Sequence, residues 1–211
     1  IAKAIYNLIF HKFDGNSFLA NIGEISKQYN GLVRLQKQPL SDVLMKKKLA
    51  IWNSDRGINV INERLCGKTV LIVLDDVDHL DQLNALAGKR DWFGLGSRII
   101  ITTRDEHLLN ILEVDEKYGA KTMNYDESLQ LFSWHAFKQD HPIEDYVELS
   151  NIVTTYAGGI PLALEVLGSF LFKRSMPEWK SVLEKFQRIP NDCIQEKLRV
   201  SYDALNPTEK V

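Results

Sequence analysis

The segment Thr69–Leu74 (TVLIVL) is apolar at nearly every position and runs straight into Asp75-Asp76. A strand with one wet face alternates, whereas a strand apolar at successive positions is covered on both faces, the pattern of parallel sheets flanked by helices. Ser97–Thr103 (SRIIITT) repeats the pattern after Gly94 and Gly96. Between the two runs, Asp78–Leu86 places Leu80, Leu83 and Leu86 at helical spacing. A short helix is expected over Glu106–Leu112 and a weaker strand over Glu116–Met123. Strands alternating with helices in this way spell a doubly wound α/β sheet.

Upstream, residues 1–11 set Ile1, Ile5, Leu8 and Ile9 on one helical face, and Ser17–Ile22 reads as a strand. Gly31 and Pro39 punctuate an expected loop, after which Ser41 or Asp42 caps a helix running to about Trp52. Gly57–Leu65 reads as a helix closed by Gly67 in a left-handed cap. Downstream of Met123 the strand pattern stops. Asn124 and Glu127 form an expected capping box for a helix with Leu129, Phe132, Ala136 and Phe137 on one stripe. Further helices are expected over Ile143–Tyr156, from Pro161, over Glu178–Arg188 and over Asp192–Leu205. Gly158-Gly159 breaks the chain ahead of Pro161, which suits a first helical turn. The composition shift places a domain boundary near residue 122.

Several function classes drop out. Lys plus Arg number 26 against 28 Asp plus Glu, a net charge of −2, so no basic surplus exists to neutralise a nucleic-acid backbone. The two cysteines, Cys66 and Cys193, stand in no C-x-x-C pair, which fits a reducing compartment and neither a disulfide framework nor a zinc site. The longest apolar run, Val70–Leu74, is too short to span a bilayer. No direct nucleic-acid or membrane partner is expected.

The chemistry concentrates at the strand ends. In an open parallel sheet, ligands sit beyond the carboxyl ends of the strands. Asp75 or Asp76 there can hold the water shell of Mg²⁺, and the other can orient an attacking water. The same dipeptide also suits a strand end that merely caps the next helix. Arg104, closing the second run, can fork onto a phosphate oxygen or lie on the surface paired with Asp105 or with helix carboxylates. In Gly158–Leu162, the Pro161-Leu162 edge can pack on an adenine face, or the segment is simply a hinge. Lys46–Lys48 reads as a solvated helix face, and Trp134 and His135 as packing and satisfied polar residues. No G-x-x-x-x-G-K-[ST] loop occurs among the 211 residues. Such a loop belongs between a first strand and a first helix, and Ile1 is expected to begin just after it.

Taken in order, these segments resemble the NB-ARC domain of plant disease-resistance proteins. IAKAIYN is similar to the helix after that family's phosphate loop, and FLANIGEISKQYNGLVRLQ to its first spacer motif in the subgroup carrying a TIR domain. LIVLDDVD resembles the Walker B segment, with Asp78 typical of the same subgroup. GSRIIITTRDEHLL is similar to the sensor strand, and YDESLQLFSWHAF and GGIPLALEVLGSFL to the next two motifs. LRVSYDAL resembles the opening of the winged-helix part.

The resemblance implies a P-loop-NTPase-like parallel sheet, lacking its first strand and phosphate loop, followed by an all-helical ARC subdomain. It implies a nucleotide-binding α/β subdomain over 1–122, the ARC subdomain over 123–190 and a truncated winged helix over 191–211. Asp75 becomes the Mg²⁺-associated acid, through water, and Asp76 the catalytic acid. Thr103, Arg104, Pro161 and Leu162 fall on the nucleotide. The implied function is an ADP/ATP switch in an intracellular immune receptor, reset by slow ATP hydrolysis. Implied partners are ADP or ATP with Mg²⁺, TIR and leucine-rich-repeat domains of the same polypeptide, and further copies in the activated state. The implied location is the cytoplasm, with the nucleus as a second compartment. Two departures are Ile160 in place of leucine and Gly119 within the expected strand. A nucleotide-blind interaction scaffold of the same fold is the alternative, and a phosphoacceptor receiver using Thr103 and Lys121 a more distant one.

Overall fold

A computed structural model describes residues 1–45 and 50–187. In chain order these form α1 (Ala2–Ile9), β1 (Gly15–Leu19), α2 (Ile22–Ser26), α3 (Gly31–Leu44), α4 (Ser54–Leu65), β2 (Val70–Val77), α5 (Leu80–Ala87), β3 (Arg98–Thr103) and α6 (Glu106–Ile111). Then come α7 (Tyr125–Phe137), α8 (Val147–Ala157), α9 (Pro161–Leu171) and α10 (Met176–Gln187). The chain divides into two compact units, Ile1–Lys117 and Tyr118–Val211, each with its own apolar core.

In the first unit the strands pair in parallel in the order β1–β2–β3. Gly15–Leu19 face Val70–Leu74, which in turn place Leu71–Leu74 against Arg98–Ile101. Every residue from Val70 to Leu74 is buried, as an apolar central strand covered on both faces requires. The α/β class read from the two apolar runs holds.

The boundaries upstream differ from expectation. The first strand begins at Gly15 and stops at Leu19; Asn21 turns left-handed at φ 54° and Ile22 opens α2 fully buried. The loop expected around Gly31 and Pro39 is instead helical, because α3 starts at Gly31 and runs through Pro39. An internal proline costs about 3 kcal/mol. Burying a leucine contributes roughly 1.5–3 kcal/mol, so Leu35 and Leu40, both buried on α3, together offset it. The helix expected from Ser41 or Asp42 to Trp52 therefore does not begin there, and Lys46–Lys48 lie outside the described residues. α4 starts ahead of Gly57, at Ser54, because the Asn53 side chain accepts from Arg56 N at 2.8 Å. Gly67 supplies no left-handed cap: the helix closes at Cys66 in the right-handed region.

Two further expectations are corrected. Glu116–Met123 forms no strand and is mostly exposed, and among the described residues the outer edge of β3 has no strand partner. Gly119 and the charges of Glu116, Lys117 and Lys121 give that stretch no apolar face, and Lys117 reaches back instead to Glu106 and Asn110. On α1, Ile1 and Leu8 stay 75% and 70% exposed, while Ala2 is buried and Tyr6 stacks on Phe10 and meets Phe18 edge-on.

The second unit is all-helical among its described residues. The Asn124–Glu127 capping box forms as read, with Asn124 Oδ1 accepting from Glu127 N and Glu127 Oε2 from Asn124 N. Phe132 and Ala136 are buried, whereas Trp134 projects outward rather than packing, and His135 Nδ1 meets Ser169 Oγ at 3.3 Å. Trp179 sits at the centre, stacked on Phe137 and edge-on to Phe132 and Tyr146. The helix expected from Ile143 opens as a 3₁₀ turn, Glu144–Tyr146, before α8. Gly158 and Gly159 both take positive φ, 61° and 72°, and Met123 N donates to Gly159 O at 2.8 Å. The helix expected over Asp192–Leu205 and the stub over 191–211 lie outside the described residues.

Candidate functional site

The carboxyl ends of β2 and β3 carry the first unit's polar chemistry. Leu74 pairs with Ile101 and Val77 with Thr103, so Asp75 and Asp76 together oppose the single residue Thr102. That two-against-one count is a β-bulge, a device that re-aims side chains at a sheet's rim. Thr102 Oγ1 donates to Asp75 Oδ1 at 2.7 Å and accepts from Asp76 N at 2.8 Å. Asp76 is held at φ 58°, the left-handed region that aspartate tolerates better than most residues. Asp75 is half-buried and Asp76 exposed.

Arg104 follows directly on β3, exposed, and makes no ion pair among the described residues; the surface pairing with Asp105 does not form. Asp105 is instead engaged as the N-cap of α6, accepting from His107 N at 2.9 Å. Thr103 Oγ1 accepts from Asp105 N at 3.0 Å, which tightens the turn out of the strand. Asp75, Asp76, Thr103 and Arg104 thus gather at one sheet edge. Pro161 and Leu162 stand side by side in the first turn of α9 in the second unit, with Leu162 57% exposed.

A polar strut lies beyond the bulge. Gln82 is buried on α5 and donates to Asp78 Oδ1 at 2.6 Å and to Ser26 Oγ at 2.8 Å, while its Oε1 accepts from the Asp78 and His79 amides. Lys27 closes the group with an ion pair to Asp78 Oδ2 at 2.6 Å. The Lys27 hydrogen bond, aided by Gln82, holds the Asp78 carboxyl below its ordinary value, and the same contact raises Lys27. Sequence reasoning missed Thr102, Gln82 and Lys27. The helix start H-x-x-Q at His79–Gln82 is a capping box in unusual residues, and the hydroxyl beside Thr103 was the remaining signal.

Among the described residues no three His, Cys, Asp or Glu side chains converge as a metal cage. The donors at the bulge are one or two carboxylates, which suit Mg²⁺ held mostly by water and substrate phosphates rather than by protein. No helix among the described residues is long and apolar enough to cross a membrane.

A parallel sheet with an acidic bulge at the carboxyl end of its central strand, followed by helices, is a P-loop-like α/β fold with a helical companion. The NB-ARC domain family model matches residues 1–142, and the chain belongs to that family. Over its whole length it is 46% identical to the disease resistance protein RUN1 of Vitis rotundifolia, of which it covers 16%. It is 42% identical to the TMV resistance protein N of Nicotiana glutinosa and 36% identical to the disease resistance protein TAO1 of Arabidopsis thaliana, covering 18% of each. The chain therefore spans less than a fifth of these relatives.

Proposed function

We propose that this chain is the nucleotide-gated switch of a plant defence receptor, held off by ADP and permitted to signal when ATP replaces it. The observation that carries the reading is the β2–β3 bulge, where two carboxylates share one sheet edge with an arginine that makes no ion pair among the described residues. In this reading Asp75 would hold Mg²⁺ through water, and the bound ion would supply charge neutralisation for the phosphates. Asp76 orients and deprotonates the attacking water for the slow hydrolysis that resets the switch. Arg104, with Thr103 beside it, recognises the terminal phosphate, for which a guanidinium fork is well shaped. Pro161 and Leu162 offer an apolar edge to the adenine. TIR and leucine-rich-repeat domains of the same polypeptide and further copies of the activated chain are its partners, in the cytoplasm and nucleus.

The alternative reading is a nucleotide-blind interaction scaffold of the same fold. The two part on one assay. Full-length protein, purified without added nucleotide and denatured, releases stoichiometric ADP if it is the switch. Release of none, together with no uptake of ADP or ATP in Mg²⁺ buffer, selects the scaffold.

A further inference from the structure

The two threonines that close β3 do different work. Thr103 spends its hydroxyl on its own turn, bonded to Asp105 N. Thr102 faces across the sheet and uses its one proton on Asp75 Oδ1 and a lone pair on Asp76 N. It is the residue that the two-residue bulge encloses, so a single hydroxyl touches both members of the acidic pair.

Each bond constrains a different atom. The donated bond turns the Asp75 carboxylate so that Oδ1 is occupied; among the described residues Oδ2 has no partner. The accepted bond holds the Asp76 amide where the backbone sits at φ 58°, a conformation that costs about 1–2 kcal/mol for an L-residue and persists only when its surroundings fix it. A methyl group in place of the hydroxyl fits the same volume and makes neither bond. Thr102 also differs from Arg104, the exposed residue assigned to the terminal phosphate, because its hydroxyl is already engaged with protein at both ends.

We propose that Thr102 is the positioning residue of the acidic pair: it sets the angle between Asp75 and Asp76 and leaves one Asp75 oxygen free for the cation's water shell. The inference rests on reading this strand edge as the nucleotide site. It assigns Thr102 no contact with nucleotide.

The test uses full-length protein carrying Thr102→Val, which removes the hydroxyl at constant shape, and Thr102→Ser, which keeps it. The first readout is hydrogen exchange of the Asp76 amide, which needs no ligand. The second is the ratio of ADP affinities measured with and without Mg²⁺. Outer-shell partners of metal ligands typically carry a tenfold or larger share of metal affinity, so Thr102→Val is expected to shrink that ratio about tenfold and to unprotect the Asp76 amide. Thr102→Ser restores both. An unchanged ratio in the valine variant overturns the proposal, and so does a serine variant as impaired as valine, since shape rather than the hydroxyl is then at work. Wild-type protein that binds no ADP in either buffer instead overturns the nucleotide reading and this role with it. A thermal melt of each variant separates lost folding from lost positioning.

Discussion

Gly57 lies against Gln36 so closely that a β-carbon on it falls 1.9 Å from Gln36 Oε1. Gln36 cannot swing aside freely. It is fully buried, and its Nε2 donates to Ser54 O and to Ala85 O, both at 2.9 Å, which ties α3 to the first turn of α4 and to α5.

Gly57→Ala is therefore expected to destabilise the first unit although alanine is the better helix former. The propensity gain is about 1 kcal/mol, while displacing the amide strands buried polar groups at about 1–3 kcal/mol each. A net loss on the order of 2 kcal/mol follows, read by urea denaturation. In a Gln36→Ala background the same change meets no clash. The double-mutant cycle should show strong coupling, and additive losses would refute the contact as the cause.

Trp179→Ala removes the centre of the second core. Trp179 is 1% exposed, packs on three aromatic rings and donates from Nε1 to Leu171 O at 3.1 Å. The expected cost is about 3–5 kcal/mol, seen as early unfolding in a denaturant titration. Trp134→Ala, at an exposed position on α7, should change stability by less than about 0.5 kcal/mol.

Tyr156 supplies a test in alkali. Burial pushes its phenol up to about 12, so the folded state keeps a proton that the unfolded state gives up near the ordinary value of 10.0. The contribution to stability is whole below that ordinary value and is lost as the pH rises from there through the folded value. Absorbance titration near 295 nm should show Tyr156 ionising late, as should Tyr6, which burial and Asp42 also raise, and Tyr156→Phe should remove one tyrosine from the late step.

The Lys27–Asp78 pair has the opposite sign. The depressed Asp78 carboxyl contributes stability above its unfolded value, and that contribution disappears as pH falls through the folded value. In Lys27→Met the Asp78 midpoint, followed by carbon NMR, should move back up. An unmoved midpoint would assign the whole effect to Gln82.

At the strand edge, Asp76→Ala in full-length protein is expected to slow ATP hydrolysis by about a hundredfold while ADP binding persists, the signature of a group acting on the water. Arg104→Ala should compress the ATP-to-ADP affinity ratio about tenfold, the worth of one charged hydrogen bond. Unchanged turnover in the first, or an unchanged ratio in the second, removes that residue from its proposed role.

What the sequence disclosed, and what it hid, follows from the range of each interaction. β2 and β3 were legible because an apolar run is a local property, and so was the Asn124–Glu127 box, whose partners are three residues apart. The helix through Pro39 was not, since the burial that outweighs the proline comes from elements distant in the chain. The strand expected over Glu116–Met123 needed a neighbour that no local pattern supplies. At the site, the acidic pair announced itself by composition. Thr102 did not, because its significance arises only when strands β2 and β3 are aligned with one residue facing two.

The hydrogen bond from Met123 N to Gly159 O has a consequence for how such chains can vary. It joins the residue just before the α7 cap to the one just before the α9 cap, so α7 and α8 leave the backbone path and rejoin it at nearly the same point. The pair is a closed excursion, and its closure demands glycine at 159, where φ is 72° and a β-carbon would fall 2.4 Å from Met123 O. Added length at the far end of that excursion leaves the crossing point of the two backbones in place, whereas any side chain at 159 forces it apart.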